Sequence, residues 1–322
     1  MVSFEPARDI PSLAGKVILV TGGNAGIGKA TIRALAKHDP ARIYLCGRRH
    51  DACERIAKEL RAETHCDGIV VLDLDLNSLE SVKKAAATFL EKENRLDLLF
   101  LNAGVANTAH ALTKEGYETQ FGINHVGHAL LTQLLMPVLL RTQAQPGGDV
   151  RVVVTSSNAA FTTMLLPSGG LDLKAMRKAD AYSTMMLYAH SKLANALFAI
   201  KLARQYPSLS VTVLHPGVVK SEIWGKGAGG LVSMLLRPLM MAMWVNIDEG
   251  AKTQLWCATA PRAQPTKGTT KPTGVVSGAF YQPTGKLVPY KGATAKQELV
   301  EELWTWTNDE LAKHGGPGWA SE

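Results

Sequence analysis

The chain has 322 residues, 46% of them hydrophobic and 20% charged, with a formal net charge of +7 and a pI near 9.2. That is an ordinary globular composition, long enough for one large α/β domain or two small ones. Lysine and arginine are scattered with no run of five or more, which argues against nucleic-acid binding, and four cysteines without a C-x-x-C pair give neither a disulfide framework nor a metal site.

The N-terminus, MVSFEPARDIPSL, is charged and broken by proline, so it reads as neither signal peptide nor anchor. Residues 16–20 (KVILV) are a β-branched run that predicts a buried parallel strand ending on the glycine-rich TGGNAGIG, residues 21–28. Helix is predicted for 27–37, 50–63, 79 to about 91, 121–141 and 186–206. Strands are predicted for 43–46, 69–74, 96–101, 150–155, 211–214 and, last, 278–281. Residues 299–311 read as a surface helix carrying Trp304 and Trp306. The Pro/Gly/Thr loop over 263–274 is too late and too short to divide domains. Strands alternating with helices predict an α/β fold, a Rossmann-type doubly wound parallel sheet in a single domain. The longest apolar stretch, 231–245, is interrupted by Arg237-Pro238 and is too short to span a bilayer. It suits weak contact with a membrane surface or a dimer surface. A soluble, cytoplasmic protein is expected, membrane-peripheral if that stretch docks.

A glycine loop between strand and helix offers a tight turn, close backbone approach and a positive helix terminus to a pyrophosphate. The spacing of Gly22, Gly26 and Gly28 differs from the commonest dinucleotide fingerprint, but the physics is shared. An acidic residue about 20 positions past the loop would hold a ribose 2′-hydroxyl. That count lands instead on Arg48, with Arg49 beside it. A guanidinium suits a 2′-phosphate, and Lys29 adds a second cation, so the expected cofactor is NADP(H).

Tyr188 and Lys192 lie four residues apart in YAHSK, hence on one face of a helix. A nearby ammonium lowers a phenol's pKa from about 10 and lets it exchange a proton with an alcohol near neutral pH. Ser156 and Ser157 end the strand at 150–155, where ligands bind in this architecture. A hydroxyl there can donate to a carbonyl oxygen that gains charge as hydride arrives.

TGGNAGIG, LNAG (101–104), GINHVGH (122–128), VVVTSS (152–157), YAHSK (188–192) and HPGVVKS (215–221) occur in an order that resembles the short-chain dehydrogenase/reductase family. NHVGHALLT and YAHSKLAN are most similar to its retinol-dehydrogenase-like branch and the fungal members of that branch. The resemblance implies a catalytic set of Asn124, Ser157, Tyr188 and Lys192. Tyr188 is the general acid or base, and Lys192 depresses its pKa and holds the nicotinamide ribose. Ser157, second in the SS pair, is chosen over Ser156. Asn124 holds a water near the lysine, and as a polar residue in an apolar helix it also suits a kink. His125 and His128, beside it, read as structural. Cofactor contacts are implied for Gly22, Asn24, Gly26, Ile27, Gly28, Lys29 and Arg48. They are implied also for Asp75 at the adenine (Asp73 is the other register), for Asn102, Ala103 and Gly104, for Tyr188 and Lys192, and for Pro216, Gly217, Val218 and Ser221. A homodimer through the two long helices follows from the resemblance alone.

Ser157 and Tyr188 are farther apart than is usual for the family, so an insertion at about 161–186 should form a loop or short helix over the site. A lid at about 222–247 should follow HPG. Eight of the ten methionines fall in two stretches: Met164, Met176, Met185 and Met186, then Met234, Met240, Met241 and Met243, the second bracketed by Trp224 and Trp244. Methionine makes adaptable apolar walls, which points to a lipophilic or aromatic ketone, aldehyde or alcohol such as a polyketide, terpenoid, steroid or retinoid; ordinary core methionine is the other reading. Two further outcomes stay open. One is a related enzyme of secondary metabolism that reduces an enone or dehydrates; the other is a non-catalytic NADPH-binding regulator, against which the retained Tyr188 and Lys192 speak.

Overall fold

Short β-branched runs with no polar face are stable as strands only where both faces of a sheet are covered. The computed structural model describes residues 2–167, 169–219, 245–263 and 274–322. Its strands are β1 (Val17–Thr21), β2 (Arg42–Gly47), β3 (Ile69–Asp73), β4 (Leu98–Leu101), β5 (Arg151–Thr155), β6 (Ser210–Leu214), β7 (Phe280–Gln282) and β8 (Lys286–Val288). They form one eight-stranded sheet in the order β3-β2-β1-β4-β5-β6-β7-β8. The first seven are parallel, and β8 turns back antiparallel on β7. The main helices are α1 (Gly26–Ala36), α2 (His50–Thr64), α3 (Leu79–Lys92), α4 (Gly127–Gln143), α5 (Thr184–Gln205), α6 (Ile247–Thr259) and α7 (Gln297–Lys313).

Alternate strand residues feed two separate cores. Ile18, Val20, Ile43, Leu45, Phe100 and Leu214 pack under α1, α2 and α6. Leu19, Tyr44, Leu99, Val152, Val154 and Val213 pack under α3, α4, α5 and α7. This is the doubly wound, Rossmann-type single domain that the sequence predicts. After β3 the chain crosses to β4 on the other side of β1, so the carboxyl ends of β1, β4, β5 and β6 open on the crevice where strand order reverses.

The predicted helix at 121–141 is longer and has a fault in it. A helical turn at Thr119–Phe121 runs into a π-helical turn at Gly122–Val126 and then into α4. The run Thr119–Gln143 is apolar and long enough to cross a membrane by composition, but 78% of its most apolar window is buried in the fold, as in a core helix.

The helix predicted at 299–311 is α7, two residues longer at each end, with Glu301, Glu302, Thr305 and Asp309 exposed on one face and the other face packed on the fold. Leu299, Val300, Leu303 and Leu311 of α7 are buried. Trp304 stacks on Trp319 with ring centroids 4.5 Å apart and on Phe198 of α5, while Trp306 meets Phe121 edge-on at 5.6 Å. Among the labelled strands and helices, α6 and β8 were not predicted. The signal for α6 was legible, since Asn246 caps the Glu249 N–H at 2.8 Å with Asp248 and Glu249 in the first turn. The three-residue β8 follows a QPTGK turn in which Gly285 has a φ of +65°.

The insertion at 161–186 is mostly irregular, with 3₁₀ turns at Asn158–Phe161, Thr163–Leu165 and Ala175–Arg177. It sends Leu166, Leu171, Leu173 and Met176 into the core. Met176 is therefore core rather than pocket wall, whereas Met164 is 90% exposed. Ser221, most of the expected lid at 222–247 with Trp224, Trp244, Met234, Met240, Met241 and Met243, and most of the 263–274 loop lie outside the described residues.

Leu303→Ala should lower the stability of the protein by about 2–5 kcal/mol, the range for a buried leucine truncated in place, measured as a reduced urea midpoint at unchanged slope.

Candidate active site

The site begins at the end of β1. Gly22 and Gly26 take positive φ values of +65° and +51°, and a Cβ on Gly28 would stand 2.3 Å from the Gly22 carbonyl oxygen, so only glycine closes this turn. The N-cap of α1 is Ala25, which has no side chain to cap the first N–H groups. An uncapped amino end with a positive dipole behind it is a ready anion site. Asn102 donates Nδ2 to the Thr21 carbonyl at 2.8 Å, and its buried Oδ1 has no partner among the described residues. These residues fit the pyrophosphate and adenosine half of a dinucleotide.

The other expected contacts are distributed around this turn. Asn24 lies against Gly47 at the end of β2, and Arg48 follows in an exposed position. The Ile27 carbonyl accepts the Gln254 side chain of α6. Lys29 reaches outward to Glu59 of α2 at 2.7 Å. Asp73 pairs with His50 at 2.8 Å, and that hydrogen bond raises the imidazole's pKa. Half-buried Asp75 uses Oδ1 to accept the Asn77 N–H at 3.0 Å. The Ala103 N–H rests on the Thr21 hydroxyl. Pro216, Gly217 and Val218 leave β6, with the Val218 carbonyl accepting the Val245 N–H at 2.9 Å.

Ser157 follows the end of β5, and its Oγ accepts the Ala159 N–H at 3.3 Å. Its hydroxyl hydrogen-bonds Tyr188 of α5. Lys192, one turn on, is buried, with Nζ 3.0 Å from the Thr155 carbonyl and 5.7 Å from the centre of the Tyr188 ring. Ser156 faces elsewhere and donates to the Lys192 carbonyl at 2.7 Å. The geometry thus favours Ser157 over Ser156. Sequence reasoning missed the other fixers of this helix: Asn195, which donates to the Thr155 carbonyl, and Ser191, which donates to the Tyr188 carbonyl.

Asn124 sits in the π turn with a saturated side chain. Oδ1 accepts the Val105 N–H at 2.8 Å, and Nδ2 donates to the Val105 carbonyl and to Ser191 Oγ, each at 2.9 Å. Asn124 is both the polar residue in an apolar helix and a neighbour of the lysine, since a Cβ on Gly104 would lie 3.3 Å from both Asn124 Oδ1 and Lys192 Nζ.

Electrostatics depart from the expectation that Lys192 lowers the Tyr188 pKa. Burial pushes the phenol up to about 12, and the lowering influence is the Ser157 hydrogen bond. Burial brings the Lys192 ammonium down to about 8. Each group loses more by leaving water than it gains from its partner at this separation. His215, at the end of β6, is held near 4 by burial and by the charge of Lys192, and its buried Nδ1 has no partner among the described residues. His125 and His128 are buried and neutral, held near 3 and near 4 by desolvation.

Residues 16–168 match the sequence profile of the short chain dehydrogenases. The chain is 36% identical to a short-chain dehydrogenase/reductase of Armillaria gallica, over 93% of this chain and 91% of that protein. It is 38% identical to retinol dehydrogenase 12 of Homo sapiens, over 80% of this chain and 77% of that protein. Among solved structures, an uncharacterized protein from Mycobacterium paratuberculosis has a TM-score of 0.70 at 25% identity, covering 96% of this chain and 98% of that one.

The buried imidazoles set an acid limit on stability. An unfolded histidine takes up a proton near pH 6.5, whereas His125 and His128 stay neutral in the fold until near pH 3 and 4. The unfolded chain therefore binds more protons below about 6.5, and stability falls with pH by up to about 1.4 kcal/mol per unit for each ring. Urea midpoints from about pH 7 down to about pH 4 should show this fall, and His125→Gln should flatten it.

Proposed function

The chain belongs to the short-chain dehydrogenase family, oxidoreductases that use nicotinamide cofactors, and from that premise we propose that it is an NADPH-dependent enzyme interconverting a lipophilic or aromatic ketone or aldehyde and its alcohol. The observation that carries this reading is the Ser157–Tyr188 hydrogen bond beside the buried Lys192, at the strand ends that flank the uncapped turn.

When bound, the nicotinamide ring supplies or accepts the hydride. The protein's own work is to move a proton and to stabilise charge. Tyr188 gives its phenolic proton to the substrate's carbonyl oxygen in reduction and takes one from the alcohol in oxidation. Ser157, already anchored by the Ala159 N–H, has a hydroxyl proton to offer that oxygen as it becomes negative. Lys192, with a pKa near 8, remains mostly charged at neutral pH and offsets the phenolate that Tyr188 leaves behind. Asn124 and Ser191 fix the helix that presents both groups.

NADPH is favoured over NADH by Arg48 at the end of β2, where a 2′-phosphate needs a cation. Lys29 is engaged by Glu59, so Arg48 carries this preference. Asp73, which stands beside Gly47 in the sheet, has His50 on its carboxylate, and that pairing reduces its repulsion of a phosphate. One relative is named a retinol dehydrogenase. Retinol is a lipophilic alcohol, which supports the same substrate class here.

A screen of lipophilic carbonyls with NADPH, followed by loss of nicotinamide absorbance, tests the reading; turnover of short polar ketones alone would count against the substrate class. Tyr188→Phe should lower kcat/KM by about 10²–10⁴, the usual contribution of a positioned acid, with the Kd for NADPH near that of the unaltered protein. Arg48→Asp should weaken NADPH binding and strengthen NADH binding. Equal affinities for the two nucleotides, unchanged by the substitution, would remove the NADPH assignment.

A further inference from the structure

The Thr21 hydroxyl is fully committed. Thr21 ends β1 at the entry to the glycine turn and is wholly buried. Its oxygen accepts the N–H groups of Asn102 and Ala103, each at 2.9 Å, which occupies both lone pairs. One proton remains to donate, with two acceptors in reach: the Phe100 carbonyl at 3.1 Å and His128 Nε2 at 2.9 Å. The imidazole's other bond decides between them. His128 Nδ1 lies 3.0 Å from the Asn124 carbonyl, an oxygen that can only accept, so Nδ1 carries the ring proton and Nε2 presents a lone pair to Thr21.

We propose that His128 is a positioning residue, a neutral imidazole that ties Thr21, at the mouth of the cofactor turn, to Asn124, in the π turn that braces the helix of Tyr188 and Lys192. The proposal rests on the reading in which that turn binds NADPH and Tyr188 moves the proton. The tie runs from β1 to α5 without a break: Thr21 to His128, His128 to the Asn124 carbonyl, Asn124 Nδ2 to Ser191, and Ser191 to the Tyr188 carbonyl. A shift of the glycine turn is thus transmitted to the acid, and a shift of the helix to the turn. A protonated ring would aim a second N–H at an oxygen with no lone pair left, so the tie exists only in the neutral form. Of the titratable groups that face the ring, the Lys192 ammonium from α5 opposes protonation as well, while His125 from the adjoining π turn is itself neutral.

The test is a cycle of Thr21→Val, His128→Leu and the double variant, with His128→Gln as the conservative change. NADPH Kd is read by fluorescence, kcat and KM by turnover, and stability by urea unfolding. His128→Leu should fold, because Thr21 can turn its proton to the Phe100 carbonyl. It should weaken NADPH binding about tenfold, the scale of one buried hydrogen bond. The double variant should bind no more weakly than Thr21→Val alone, since the imidazole acts through the hydroxyl. His128→Gln places an amide oxygen near the Nε2 position and should recover most of the NADPH affinity while kcat stays low, because the Asn124 carbonyl has lost its donor. A His128→Leu protein with unchanged Kd and kcat overturns the proposal, as does simple additivity of the two single losses. If His128→Leu does not fold, unchanged kcat in His128→Gln overturns it instead. If the unaltered protein binds neither NADPH nor NADH, the functional reading fails on its own, and the urea cycle still decides the tie: coupled midpoints support it, additive ones overturn it.

Discussion

Lys192 is an ammonium held almost out of water, and the site is arranged around that fact. An unpaired buried charge is too costly to persist, so the end of β5 is shaped to receive it. The Thr155 carbonyl accepts from Nζ at 3.0 Å, Asn195 donates to the same carbonyl, and Ser156 donates to the Lys192 carbonyl. Three bonds to one strand end fix α5 in rotation and in height. With α5 so fixed, Tyr188 stands where the Ser157 hydroxyl hydrogen-bonds it. Burial that makes the lysine unusual also brings its pKa down to near 8, so it is still mostly charged at neutral pH.

The apolar scaffold makes that polar contact permanent. α5 is buried on nearly every side from Leu187 to Leu202, against the sheet within and α7 without. Its buried surface is therefore not a stripe but nearly a full circumference, polar where it meets the end of β5 and apolar elsewhere, as in a core helix. The aromatic contacts of Trp304, Trp306 and Trp319 with Phe198 and Phe121 seal the outer side. A dimer built on the two long helices, as the family resemblance implies, would have to accommodate α7 on that face.

The turn on the other side of the crevice is held by different means. Glycines at positive φ close it, the uncapped start of α1 faces outward, and the Thr21 hydroxyl fastens it to β4. Tyr188 and Thr21 belong to distant parts of the chain, yet Asn124, His128 and Ser191 form a continuous polar line between them through an apolar interior. Buried networks of this kind are stable only when every member is satisfied, and each hydrogen-bonding atom on this line has its partner.

The chain's alternation of apolar runs and 3.6-periodic segments determined the doubly wound sheet, because parallel strands buried on both faces have no other composition. The residue types in TGGNAGIG, TSS and YAHSK carried the proposed chemistry, since a glycine turn and a tyrosine–lysine face are local in sequence. Local pattern also marked Arg48 as the cation after β2. What it left undecided was everything set by contact between distant segments. Packing decided what covers the inner face of α7, where its leucines and tryptophans meet α5 while Glu301, Glu302 and Asp309 stay exposed. Burial raised Tyr188 and lowered Lys192, because desolvation depends on what encloses a group rather than on its neighbours in the chain. The orientation of Ser156 toward the Lys192 carbonyl, the π turn at Asn124 and the meeting of His128 with Thr21 likewise depend on partners that only the folded chain brings within 3 Å or so.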